Sequence, residues 1–160
     1  MSAETLLAQA KAAGVMIATA ESCTAGLIAG AITEVPGSSA IFDRGFVTYT
    51  NQAKQEMLGV ASESLASHGA VSEEVAREMA EGALARSMAD RAVAVSGIAG
   101  PGGSEFKPEG RVCFALAATG AATLSETIDY GAIGRSEVRA ATVQHALDLL
   151  IRSLPSGASV

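Results

Sequence analysis

Two short runs, Arg91 to Ser96 and Val112 to Ala118, are nearly free of polar residues. A strand with one wet face would alternate, so runs like these suit central strands of a sheet covered on both sides. Helices must therefore supply two outer layers, and the rest of the chain reads accordingly. Ala3 to Ala13 carries Leu6, Leu7 and Ala10 at helical spacing and stops at Gly14. Val15 to Thr19 reads as a short buried strand. Ser22 or Thr24 can cap a helix that follows and runs to about Glu34, ended by Pro36-Gly37. Ile41 to Thr50 is the next strand, with Gly45 marking a bulge or a close approach.

Asn51 to Leu58 and Ser62 to Ser67 are short helical pieces. Val71 to Met88 sets Val71, Val75, Met79 and Leu84 against Glu73, Glu74, Arg77, Glu78 and Glu81, a solvated helix over the sheet. Leu124, Ile128 and Tyr130 alternate with polar residues, which predicts an edge strand. A last helix spans about Arg135 to Leu154. The expectation is a single three-layer α/β/α domain with a mixed sheet over residues 1–160, with 155–160 a flexible tail.

Composition narrows the function classes. Eleven Lys+Arg against 17 Asp+Glu give a formal charge of −6, which argues against coating nucleic acid yet leaves room for a local basic pocket. Aromatic residues make up only 4% of the chain, so no stacking platform for single-stranded nucleic acid is apparent. Cys23 and Cys113 stand far apart with no partners at metal-ligand spacing, which suggests two reduced thiols and no metal site. No apolar run reaches the ~18 residues of a membrane span, and Met1-Ser2-Ala3-Glu4 lacks a basic leader, so a cytoplasmic protein is expected. The Ala-rich helices suit a homo-oligomer, with a dimer favoured.

Phosphate-loop, dinucleotide-fingerprint and zinc-protease motifs are absent. His68 and His145 read as ordinary helix histidines. Ser104 and Lys107 form an S-x-x-K pattern, but among prolines and glycines it reads as a loop coincidence. The Gly26 and Gly30 pair reads as close packing on the sheet. Ser96 to Ser104 follows a buried strand directly and is rich in glycine; on composition alone it is either an anion cradle or an ordinary connection. Ser22, at a strand-to-helix turn, is first a capping residue. The same turn is also where a nucleophile would find backbone N–H groups for an oxyanion. Lys54 is an exposed helix lysine or, if the strands before Ser22 and after Ile41 are neighbours, a base within reach of Ser22 together with Tyr49.

Five blocks in order carry a resemblance: Ala20-Glu21-Ser22-Cys23-Thr24, Gly37-Ser38-Ser39-Ala40, Arg44-Gly45-Phe46-Val47-Thr48-Tyr49, His68-Gly69-Ala70-Val71-Ser72 and Ser96-Gly97-Ile98-Ala99-Gly100-Pro101. From about residue 5 to 150 the chain resembles the nicotinamide mononucleotide deamidases, a family also found as the C-terminal domain of the competence/damage-inducible protein CinA, and it is similar to the stand-alone form. It departs at Ala25-Gly26, where the family often has Gly-Gly, and at Ile133-Gly134-Arg135, where it often has Gly-Asp-Arg.

The resemblance implies hydrolysis of the nicotinamide mononucleotide carboxamide to nicotinic acid mononucleotide and ammonia, in pyridine nucleotide salvage, without cofactor or metal. The family's serine and lysine would fall on Ser22 and Lys54, with Tyr49 as the accompanying tyrosine, its hydroxyl bridging the two or holding the carboxamide. Glu21, Thr24 and Gly26 would join the substrate-binding set, Glu21 turned to the ligand or to backbone donors instead of to Lys54. The phosphate would lie against Gly100, Gly102, Gly103 and Ser104 with Arg135 or Arg139. An unperturbed lysine near pKa 10.4 is charged at neutral pH, so burial, with Phe42, Phe46 and Ile28 expected nearby, has to make Lys54 a base. The competing readings are a catalytically inactive nucleotide-binding module and an oligomeric interaction domain.

Overall fold

The computed structural model describes residues 2–104 and 106–155, so of the expected tail 155–160 only Pro155 falls within the described residues. The chain runs α1 (Ala3–Ala13), β1 (Ile17–Glu21), α2 (Leu27–Thr33), β2 (Phe42–Val47), α3 (Asn51–Leu58), α4 (Ser62–His68), α5 (Glu73–Ala85), β3 (Arg91–Gly97), β4 (Arg111–Ala118), β5 (Leu124–Asp129) and α6 (Arg135–Arg152). A single turn of 3-10 helix, Ser38–Ala40, precedes β2. The five strands form one mixed sheet in the order β2-β1-β3-β4-β5, with β1 parallel to both neighbours and β4 antiparallel to both of its own. This is the expected three-layer α/β architecture. Among the described residues no helix is long and apolar enough to cross a membrane.

Alternation along the central strands divides the core in two. Val93, Val95 and Phe114 face α1, α2 and α6, where Leu6, Ile28, Ile32 and Leu150 fill the space. Ala92, Ala94, Ala115 and Ala117 face the other way and present only methyl groups to Val75, Ala76, Met79 and Ala80 of α5. Small side chains on both surfaces let that helix sit close to the sheet. Close approach recurs at Gly45 in β2, where a Cβ would come 2.7 Å from Thr19 Oγ1.

Several boundaries differ from the sequence expectation, each for a local reason. β1 runs to Glu21 instead of Val15 to Thr19, because the Val15 N–H is still engaged in closing α1 on the Ala10 carbonyl (2.9 Å). β2 ends at Val47, since Thr50 already caps α3 by accepting the Ala53 N–H (3.0 Å). α5 starts only after Ser72, whose hydroxyl accepts the Val75 N–H, and stops at Ala85 instead of Met88. α6 ends at Arg152, short of Leu154. The charged side of α5 is not simply solvated: Glu73 accepts the Ser125 and Thr127 hydroxyls of β5, and Glu78 accepts the Ala61 N–H. Gly30 offers no close packing, for a Cβ there would find nothing within 4 Å.

Candidate active site

Parallel pairing of β1 with β2 and β3 brings three carboxyl ends together, the position at which open α/β sheets bind ligands. A cavity of about 380 Å³ opens there, lined by Ser22 after β1, Tyr49 and Lys54 after β2, and Ser96 to Ser104 after β3. Lys54 is the site's most unusual residue. It projects from the first turns of α3 and is only 1% exposed. Its Nζ lies 3.0 Å from Ser22 Oγ, 3.0 Å from the Thr48 carbonyl and 3.1 Å from the Tyr49 carbonyl. Carbonyls only accept, so two amine protons go to the chain after β2. As an ammonium Lys54 donates its third proton to Ser22; as a neutral amine it directs its lone pair there.

Ser22 is neither a helix cap nor part of α2. It begins a turn that continues to Gly26, the N-cap of α2, and Gly26 provides no side-chain cap. Glu21 does that work instead: its carboxylate accepts the Ile28 and Ala29 N–H groups (2.9 and 3.0 Å) and the Thr24 hydroxyl (2.6 Å). Glu21 thus takes the backbone-donor alternative and turns away from any ligand. Thr24 is wholly buried against it, and Gly26 lies beside Val47. None of these three lines the cavity, so none offers a side chain to the substrate. The helix-start N–H groups expected to meet an oxyanion are also filled. The donors left beside Ser22 are the N–H groups of Cys23 and Thr24, which make no hydrogen bond to another described residue.

Two further expectations are corrected. The Tyr49 hydroxyl does not bridge Ser22 and Lys54, which meet directly; it accepts from Arg135 Nη2 (3.2 Å) at the cavity rim. Arg139 does not reach the cavity, and its guanidinium donates to the Cys23 and Thr24 carbonyls (3.1 and 3.4 Å). Arg135 does line the cavity and donates to the Gly100 carbonyl (2.7 Å). Gly100, Gly102, Gly103 and Ser104 line it as well, although two of their N–H groups are occupied. Gly102 donates to Glu109 (2.7 Å) and Ser104 to the Lys107 carbonyl (3.1 Å).

Sequence reading placed Ser96 in the candidate loop without a role of its own and missed Asn51 and Lys107 as cavity residues. Ser96 had a legible signal, as the polar residue closing an apolar strand. Lys107 had one in its S-x-x-K spacing, but its Nζ anchors the loop to the His68 and Val71 carbonyls (2.5 Å each) and does not serve Ser104. With Lys54, Lys107 and Arg135 the cavity is locally basic in an acidic protein. Among the described residues no group of three or more His, Cys, Asp or Glu could hold a metal ion.

Cys23 also lines the cavity, but burial pushes its thiol up to about 11, and burial raises Cys113 too. Neither thiol is expected to react with iodoacetamide at pH 8 in the folded protein, and both should react after unfolding. Intact mass before and after denaturation checks this, and native labelling of Cys23 would refute the closed turn described above.

A family model described as the CinA C-terminal domain matches residues 1–154. A putative competence-damage inducible protein of Symbiobacterium thermophilum is 56% identical over 150 residues, 88% of this chain and 35% of that protein. The nicotinamide-nucleotide amidohydrolase PncC of Escherichia coli K12 is 62% identical over 108 residues, 67% of this chain and 66% of that protein. The matches therefore span about a third of the first relative and just under two thirds of the second. Among solved structures, the competence/damage inducible protein CihA of Agrobacterium tumefaciens superposes with a TM-score of 0.91 at 56% identity, covering 94% of this chain and 92% of that one.

Proposed function

The chain belongs to the CinA C-terminal domain family, and from that premise we propose that it is an amidohydrolase converting nicotinamide mononucleotide to nicotinic acid mononucleotide and ammonia in pyridine nucleotide salvage. The activity named for the E. coli relative supports the reaction class. The observation that carries the mechanism is the 3.0 Å contact between Lys54 Nζ and Ser22 Oγ in a lysine that is 1% exposed. Desolvation favours the neutral amine that a base requires, and a cationic pyridinium entering the cavity favours it further.

Lys54 would take the Ser22 proton as Oγ attacks the carboxamide carbon. The Cys23 and Thr24 N–H groups would hold the oxyanion, and the lysine would return the proton to departing ammonia. Water then hydrolyses the acyl-enzyme by the same base. The phosphate would lie at Arg135 and the open part of the Gly100 to Ser104 loop.

Ammonia release from nicotinamide mononucleotide by the purified protein, with and without a chelator, tests the reading. Turnover that survives the chelator is expected. Binding without turnover would favour the inactive nucleotide-binding alternative, and neither would favour the interaction domain. Arg135→Ala should raise KM about tenfold to a hundredfold while kcat changes little, since a charge-assisted bond to a non-reacting phosphate is made equally in ground and transition states. An unchanged KM would remove Arg135 from the phosphate site. A dimer, proposed from the Ala-rich helices, would give twice the chain mass by light scattering.

A further inference from the structure

The turn between Ser22 and Gly26 is bent into an unfavourable shape. Ala25 has φ +47, in the left-handed region where a Cβ crowds the backbone, and Gly26 follows at φ +99. Local bonding accounts for part of this: the Ala25 N–H donates to the Ser22 carbonyl (3.1 Å), and the Leu27 N–H to the Thr24 carbonyl (3.0 Å). The Thr24 hydroxyl on Glu21 (2.6 Å) adds to it, and a further hold on the turn comes from far along the chain. Arg139, half-buried on α6, places one guanidinium on the successive Cys23 and Thr24 carbonyls.

A trans peptide is planar, with C=O and N–H on opposite sides. Fixing the Cys23 carbonyl toward Arg139 therefore fixes the Thr24 N–H in the opposite direction. Fixing the Thr24 carbonyl does the same for the Ala25 N–H, which lies on the Ser22 carbonyl. Two gripped carbonyls on consecutive residues leave the intervening Thr24 backbone little freedom. Backbone donors with no partner among the described residues, such as those of Cys23 and Thr24, are costly to keep in place unless something holds them.

We infer that Arg139 is a positioning residue: from α6 it clamps the strained nucleophile turn so that the Cys23 and Thr24 N–H groups remain aimed for the oxyanion formed at Ser22. It touches no reacting atom, and this role rests on the serine amidohydrolase reading proposed above. The left-handed Ala25 is the conformation the clamp maintains.

The test is steady-state hydrolysis of nicotinamide mononucleotide by Arg139→Ala, Arg139→Lys and Arg139→Ala with Ala25→Gly, each shown to be folded by its thermal melt. Loss of aimed oxyanion donors should lower kcat of Arg139→Ala about 100-fold with KM within about threefold of wild type. Arg139→Lys should fall between, because a lysine keeps the charge and donors but lacks the planar fork that holds both carbonyls in one fixed geometry. Glycine at position 25 removes the cost of the left-handed turn, so the double variant should recover about tenfold of the lost kcat.

A raised KM with kcat retained would overturn the clamp and make Arg139 a substrate anchor. Unchanged kinetics would overturn it as well, as would an absence of recovery in the double variant. Should the wild-type protein release no ammonia, the reading of function fails separately from the clamp. Backbone amide signals of Cys23 and Thr24, measured by NMR without substrate, then decide the clamp alone: shifted or broadened signals in Arg139→Ala support it, and unperturbed ones refute it.

Discussion

Replacing Ser22 by alanine is expected to lower amide turnover by at least about 10⁴-fold, and replacing Lys54 by methionine by about 10³- to 10⁴-fold. The decisive variant is Lys54→Arg. An arginine cannot give up its proton in a protein, so it retains the charge and loses the base. If Lys54 acts by proton transfer, Lys54→Arg should be as inactive as Lys54→Met. If Lys54 contributes only a positive charge to the cavity, Lys54→Arg should keep activity that Lys54→Met lacks. Single-turnover ammonia release, beside thermal melts of each variant, distinguishes the two. The contrast isolates proton transfer because the Thr48 and Tyr49 carbonyls accept from Lys54 in either protonation state.

The parts of this architecture that were legible in the sequence are those set by short-range pattern. Apolar runs identified β3 and β4, polar alternation identified β5, and Gly14 after Ala13 marked the end of α1, where Gly14 does sit at φ +67. The pairing of Ser22 with Lys54 was legible only on the condition that the first two strands were neighbours, which the parallel register meets. For Glu21 the sequence left ligand and backbone donors as alternatives, and Arg139 was assigned to the phosphate, because the partners of both are set by tertiary geometry. Nothing in the sequence says that the Glu21 carboxylate turns back onto the Ile28 and Ala29 N–H groups, or that a guanidinium from α6 reaches the Cys23 carbonyl. Tyr49 shows the same limit within one residue: its backbone carbonyl faces Lys54 while its hydroxyl meets Arg135.

Gly82 connects that packing to the chemistry, and substituting it should have a sign opposite to helix propensity. In an ordinary helix interior Gly→Ala stabilises by about 0.5–1 kcal/mol. In α5, however, a Cβ at Gly82 would lie 2.0 Å from the Leu58 carbonyl oxygen and 2.9 Å from its carbon, at the end of α3. The obstacle is backbone, so no rotamer relieves it, and α3 must move. Gly82→Ala is expected to destabilise by about 2 kcal/mol, a fall in Tm of roughly 4–8 °C for a chain of this size. α3 also carries Lys54, whose carbonyl accepts the Val60 N–H (3.2 Å) just past the end of the same helix. Displacing Leu58 therefore shifts the base, and kcat should fall about tenfold although Gly82 is remote from the substrate. Gly30→Ala provides the comparison, because Gly30 lies inside α2 with nothing within 4 Å of its missing Cβ. That variant should follow propensity and raise stability by about 0.5–1 kcal/mol. Equal Tm changes for the two variants would refute the α3–α5 contact, and a Gly82→Ala enzyme with lowered Tm but full kcat would refute its coupling to Lys54.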